Sequence, residues 1–367
     1  MNFFDSFAGK RVFVTGHTGF KGAWLSAWLK HLGAEVRGYS IGIPTEPSLF
    51  ELAGLAGDVD HVLGDIRDAA RLSEALLSWQ PDIVFHLAAQ PIVSRSYADP
   101  LETISTNVMG SANLLDALRK LQRPCAAVMI ATDKCYDNVE WVWGYRETDR
   151  LGGKDIYSAS KAGAEVIFHA YVASFFSGAD TQVRLASARA GNVIGGGDWA
   201  EDRLVPDAVR AWQRGEKVTI RSPNATRPWQ HVLEPLSGYL ALAASLAASP
   251  ARHGQSYNFG PRSEQNRTVL QVLRDLGAIW GHVSPDEAID LSGVSDFREA
   301  HLLKLNCDKA LIELNWEPTL SYRQCVQLTG EWYRRVVRDG EPARTVTEEH
   351  LGFYLNAMRG AAGGEAG

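Results

Sequence analysis

The sequence predicts an α/β fold, a doubly wound parallel sheet with a smaller, mostly helical C-terminal substrate lobe. Three observations predict it. Short apolar runs alternate with helix-length segments through the first half, a glycine-rich turn follows the first run, and the alternation stops after Asn192. Such alternation specifies parallel strands joined by crossover helices that cover both sheet faces. With 367 residues and 45% hydrophobic content, the chain is long enough for one large domain and a smaller one.

Taken in order, Lys10–Thr15 reads as a short buried strand and Ala23–Leu32 as a helix, which Gly33 ends by turning left-handed. Glu35–Ser40 is the second strand. Further strands are expected at Val59–Leu63, Asp82–Leu87, Ala126–Ala131 and Gln182–Ala188, with helices at Ala69–Trp79, Pro100–Leu121 and Ser158–Phe176 between them. Beyond Asn192 come the run Gly195-Gly196-Gly197, two Arg/Trp-rich loops and mostly helical segments. The expected division is therefore a first domain over 1–192, a second lobe over 193–359 from which the chain can cross back, and a disordered Gly/Ala-rich tail over 360–367. The run Leu240–Ala248 reads as a packed helix and not a membrane element.

Charge and cysteine usage exclude several function classes. A net charge of −6 disfavours a general nucleic-acid binder, so a polyanionic ligand needs a local basic pocket. Cys125, Cys135, Cys307 and Cys325 form no C-x-x-C pair, and no metal cluster appears among the ten histidines, so no metal site is expected. The start of the chain has no basic segment followed by an apolar core, which points to a cytoplasmic protein without membrane contact.

Directly after the first strand stands Gly16-His17-Thr18-Gly19-Phe20-Lys21-Gly22, opening into a helix. Glycines there allow a tight turn and bring backbone N–H groups to a pyrophosphate at a helix N-terminus, the arrangement of a Rossmann-type dinucleotide site. The plain alternative is an ordinary strand-to-helix turn. Leu87-Ala88-Ala89-Gln90 lies on the same sheet edge, as does Thr132-Asp133-Lys134. Tyr157 and Lys161 are spaced i,i+4 and share a helix face, where a lysine cation can stabilise a phenolate that otherwise forms only at a pH of about 10. A surface helical pair would have the same spacing. His86 reads as a satisfied core histidine.

This G-x-x-G-x-x-G spacing with Thr132, Tyr157 and Lys161 resembles the extended short-chain dehydrogenase/reductases. The resemblance implies a cofactor site of Gly16, Thr18, Gly19, Phe20, Gly22, Asp65, Ile66, Leu87, Ala88, Ala89, Tyr157 and Lys161, with Asp65 and Ile66 flanking the adenine. Asp133 is similar to the nucleotide-sugar 4,6-dehydratases, in which it protonates a departing C6 hydroxyl; epimerases of the group carry Ser or Thr. Thr132-Asp133-Lys134, His17-Thr18-Gly19-Phe20-Lys21-Gly22-Ala23-Trp24, Gly191-Asn192-Val193-Ile194-Gly195-Gly196-Gly197-Asp198-Trp199 and Arg227-Pro228-Trp229-Gln230-His231-Val232 are together similar to the CDP-glucose 4,6-dehydratase subfamily, over roughly residues 9 to 340.

That subfamily implies NAD as cofactor, although the second strand ends in Ser40 and Gly42 with Arg37 upstream, where many NAD-binding relatives carry an acid. It implies a nucleotide-sugar substrate contacted by Gln90, Ser94, Arg95, Asn192, Asp198, Trp199 and Arg227, with Asn107 bracing the backbone nearby. It implies a homodimer or dimer of dimers, and a place in deoxysugar and O-antigen biosynthesis. Catalysis falls to Thr132, Asp133, Lys134, Tyr157 and Lys161. Lys134 stands where related dehydratases have a C5 base, so it acts either as a neutral amine or by stabilising an enolate while water moves the proton. The rivals are a 4-epimerase or reductase on the same fold, disfavoured by Asp133, and a non-catalytic dinucleotide sensor, which would not require Asp133.

Overall fold

The computed structural model describes residues 3–178, 181–262, 265–293 and 302–363. Its frame is a seven-stranded sheet in which every pairing is parallel. The first six strands in the chain are β1 (Arg11–Thr15), β2 (Glu35–Ser40), β3 (Asp60–Leu63), β4 (Ile83–His86), β5 (Cys125–Thr132) and β6 (Val183–Ala190), and Ser256–Phe259 adds the last. From one edge the order is Ser256–Phe259, β6, β5, β4, β1, β2, β3. The winding reverses at β1, whose neighbours are β4 and β2, and a crevice opens there at the carboxyl ends of the strands.

β1 and β4 are buried along almost their whole length because helices cover both faces. One core lies on the face of α1 (Phe20–His31), with Trp24, Trp28 and Leu29 against Val12 and Val14. Leu233–Ala248 belongs to this same core and is buried nearly all round, which accounts for its continuous apolar run. Among the described residues no helix is long and apolar enough to cross a membrane. The other face is packed by Leu72, Leu76, Leu114, Leu115 and Leu118 against Phe13, Val84 and Ala127.

The segment expected as one helix over 100–121 is interrupted. Pro100–Ile104 and Gly110–Leu118 are α-helical, but Ser105–Met109 widens into a π-turn that holds Asn107, and a second π-turn, Val172–Phe176, closes the helix Ile156–Tyr171. Beyond β6 the chain leaves the sheet through short two- and three-residue strands and re-enters it at Ser256–Phe259. The final helix, Ala343–Gly363, runs into the segment expected as a tail, and residues 364–367 lie outside the described residues.

Candidate active site

The carboxyl ends of β1, β4, β5 and β6 deliver the glycine loop, Leu87–Gln90, Thr132–Lys134 and Gly191–Asn192 to one cleft. Gly16 has φ +75°, and a Cβ there would meet the Ala88 nitrogen at 2.7 Å, so glycine is required both for the turn and for the close approach. A Cβ at Gly22 would meet the Gly16 carbonyl oxygen at 2.1 Å. Gly19 starts α1 without any side-chain cap, which leaves the first-turn N–H groups for a ligand. This cradle fits a dinucleotide pyrophosphate. Thr18 fixes the loop by donating to the Gly42 carbonyl at 2.6 Å, and Phe20 packs towards Gly195.

Of the pair expected at the adenine, Asp65 is held by Arg67 at 2.6 Å and Ile66 is buried under Gly110. Arg37 is engaged elsewhere: it donates to Asp60 at 2.6 Å and its guanidinium lies 4.4 Å from the Trp79 ring centre. Its charge is therefore already paired within the chain. His17, inside the glycine motif, is fully buried, with its Nε2 2.6 Å from His61 Nδ1; burial, then His61, pushes its pKa down to about 3. His86 is a satisfied core histidine, bonded to Thr15 at 2.7 Å and Ser111 at 3.1 Å, and burial lowers its pKa to about 3.

The residues expected to be catalytic meet above β5. Thr132 donates to the Asp133 carboxylate at 2.9 Å and accepts from the Lys134 amide, which turns the chain into a single 3-10 turn. Asp133 is buried beneath Gly191, whose Cβ would lie 3.2 Å from its Oδ2. Burial raises the Asp133 pKa above the ordinary carboxylate range, against the pull of Lys134, Thr132, Lys21 and Arg227. Tyr157 comes from the first turn of the helix Ile156–Tyr171, capped by Asp155. Burial pushes its phenol up to about 12, and Arg203 and the hydrogen bond with Thr132 draw it back. Lys134 Nζ stands 5.9 Å from the Tyr157 ring centre. Lys161 is buried and donates to the Ile130 carbonyl at 3.3 Å; burial lowers its pKa and Glu165 opposes that.

Two cations absent from the sequence-based site belong to this cluster. Arg203 binds Asp198 at 2.9 Å and acts on Tyr157. Lys21, on the first turn of α1, has its pKa lowered to about 8 by burial and by Arg203, with Asp133 and Asp198 opposing. The signal for Lys21 was a cation inside the glycine motif; Arg203 carried none beyond its nearness to Asp198.

The expected substrate contacts divide. Asn192, Asp198 and Arg227 are at the cleft: Asn192 follows Gly191, Asp198 anchors Arg203, and the charge of Arg227 reaches Asp133. A narrow recess beside Gly191 is bordered by Pro228, Asn266 and Lys304. Ser94 donates to Asp202 at 2.5 Å and so links the Gln90 loop to the segment after Trp199. The other three are placed differently. The Gln90 side chain is consumed by Thr103 at 2.8 Å and the Ile92 amide at 2.6 Å, Arg95 pairs with Glu102 at 2.8 Å on the surface, and Trp199 is buried edge-on against Tyr333. Asn107 braces as expected, exchanging hydrogen bonds with the Gln90 backbone and reaching Ser160 at 2.9 Å. Among the described residues no group of His, Cys, Asp or Glu forms a metal site.

Residues 13–329 match the family model described as GDP-mannose 4,6 dehydratase. The chain is 47% identical over 352 residues to the CDP-glucose 4,6-dehydratase of Salmonella typhimurium, covering 95% of this chain and 97% of the relative. It is 27% identical to a dTDP-glucose 4,6-dehydratase of Xanthomonas campestris, over 87% of this chain and 92% of that one. Among solved structures, a dTDP-glucose 4,6-dehydratase from Streptomyces venezuelae with NAD and TYD bound superposes with a TM-score of 0.76 at 24% identity, covering 91% and 99% of the two chains. A UDP-glucose 4-epimerase from Thermotoga maritima with UDP-glucose gives 0.75 at 22% identity, covering 89% and 99%.

Proposed function

The chain belongs to the GDP-mannose 4,6-dehydratase family of extended short-chain dehydrogenase/reductases, and we propose that it dehydrates CDP-D-glucose to CDP-4-dehydro-6-deoxy-D-glucose as an NAD-dependent hydro-lyase. The observation that carries this reading is Asp133, a buried carboxyl with a raised pKa, hydrogen-bonded to the same Thr132 that serves Tyr157. An epimerase needs no acid for a leaving group. The relative at 47% identity carries the name of this reaction and this sugar nucleotide.

The glycine loop, Asp65 and Leu87–Ala89 hold NAD, which when bound supplies the acceptor and later the donor of a hydride. Tyr157 takes the proton from the C4 hydroxyl, with Thr132 bonded to the phenolic oxygen and Lys161 giving cationic support from the same helix face. A ketone at C4 acidifies the C5 proton. Lys134 Nζ, 5.9 Å from the Tyr157 ring centre, is assigned to electrostatic support of the enolate, with water carrying the C5 proton. Asp133 in its neutral form gives its proton to the C6 oxygen, and that oxygen leaves as water. Net redox is zero. Arg227 and Asn192 are assigned to the diphosphate, because an Arg fork matches phosphate geometry and an amide donates to it.

We place the reaction in cytoplasmic deoxysugar synthesis, where its sugar nucleotide and NAD are soluble. For its assembly, Leu101, Met109, Val166 and Phe175 are exposed on the helical segments Pro100–Leu118 and Ile156–Phe176, and they support a homodimer or dimer of dimers. Incubation with a panel of nucleoside-diphosphate hexoses and mass analysis tests the function. The expected result is loss of one water from CDP-glucose without net change in nicotinamide; unchanged mass with inverted C4 would make it an epimerase.

A further inference from the structure

One helical turn beyond Lys161 lies a buried ion pair that the mechanism does not use. Glu165 and Arg189 are each about 1% exposed at the side chain and meet at 2.8 Å. Such a pair is weak evidence for stability, because desolvation offsets most of the attraction. Its connections are more informative. Arg189, on β6, donates to the Tyr136 hydroxyl at 2.7 Å and to the Glu147 carbonyl at 3.0 Å, while Ser187 donates to Glu165 at 3.0 Å. Tyr136 ends the turn that carries Asp133, and Glu165 follows Lys161 by one helical turn and Tyr157 by two.

We propose that Glu165, held by Arg189, is a positioning residue that supplies the counter-charge of Lys161 and locks the Tyr157–Lys161 helix against the Asp133 turn. The inference rests on the dehydratase reading and deepens it. Lys161 Nζ has one hydrogen bond, to a neutral carbonyl, whereas Glu165 Oε1 is buried without a hydrogen-bond partner one turn further along the same face. The other titratable groups acting on Lys161 carry no negative charge near neutral pH. Cys135 stays a thiol because burial raises its pKa, His86 stays neutral, and Lys21 is a like charge. Glu165 itself remains ionised: burial pushes it up, but Arg189 and its hydrogen bonds pull it below the ordinary range, and His169, 3.8 Å away, pulls the same way. A buried ammonium without such a partner loses its proton at lower pH.

The test follows C4 oxidation in a single turnover, as nicotinamide absorbance across pH, in an Asp133→Asn background that removes the Asp133 titration. Glu165→Gln keeps shape and hydrogen bonding but removes the charge. Glu165→Gln/Arg189→Gln removes both charges, so that no guanidinium is left uncompensated. In both, the alkaline loss of oxidation is expected to begin about one pH unit earlier, the scale set by one nearby opposite charge. NAD affinity, read by quenching of protein fluorescence, and half-saturation by CDP-glucose stay near the parent, and Glu165→Asp restores the alkaline limb. An unshifted limb, a loss uniform across pH, or failure of both variants to fold overturns the inference in favour of a purely structural pair. If the parent dehydrates another nucleoside-diphosphate hexose and not CDP-glucose, the substrate assignment fails instead, and the same pH comparison is read on that sugar.

Discussion

Burial, ahead of the opposing cations, keeps the Asp133 carboxyl protonated to higher pH than a solvated one, and an acid must hold its proton in order to give it. The same raised pKa makes the folded chain bind more protons than the unfolded one between the ordinary carboxylate value and the raised value. Stability from this group therefore falls as pH rises through that window. Asp133→Asn removes both effects. Dehydration should slow by about 10²–10⁴-fold while C4 oxidation persists, so nicotinamide absorbance accumulates in a single turnover. The variant should also melt no lower than the parent at mildly alkaline pH, by calorimetry. Dehydration at the parent rate would remove Asp133 from the mechanism. Arg203 gives a second prediction. Its charge opposes the burial that raises Tyr157, so Arg203→Gln should raise the phenol further and move the acid limb of C4 oxidation to higher pH; an unmoved limb contradicts the coupling. Residue types at sheet-edge positions made Thr132, Asp133, Tyr157 and Lys161 legible. Of the residues the same logic assigns to the substrate, Trp199 packs edge-on against Tyr333 and the Gln90 side chain is bonded to Thr103 and the Ile92 amide. Those partners are distant or loop-borne, and adjacency to a motif does not reveal them.

At the scale of elements, β2 and the helix Ala69–Trp79 fall at the residues read from periodicity. The glycine loop is the junction most exposed to perturbation. Gly16→Ala forces a Cβ into the Ala88 nitrogen and an alanine into a positive φ, which itself costs about 1–2 kcal/mol. The expected outcome is a lower melting temperature together with weaker NAD binding in a fluorescence titration, whereas unchanged NAD affinity would mean that the Gly16–Ala88 approach does not shape the cradle. The helix read as continuous over 100–121 shows the limit of periodicity. Its π-turn at Ser105–Met109 places Asn107 where it bonds both Gln90 and Ser160, a long-range requirement that leaves the apolar spacing almost unchanged.

For the whole molecule, the strand order brings the ends of β1, β4, β5 and β6 together, so residues from four separate segments are gathered at one place. That convergence was readable from the α/β alternation, but the re-entry of Ser256–Phe259 was not, because a four-residue strand after helical segments carries little periodic signal. The exposed apolar side chains on Pro100–Leu118 and Ile156–Phe176 predict a dimer or larger assembly in sedimentation at micromolar concentration, and a monomer there would contradict it. The central claim is a dehydration in which hydrogen leaves C4 and returns to C6 within one active site. Its most direct test is turnover of CDP-glucose deuterated at C4 with a catalytic amount of NAD, followed by mass and NMR analysis of the product. Loss of one water with the deuterium at C6 is the expected result; retention of all oxygen, or deuterium still at C4 or lost to solvent, would refute an internal hydride transfer.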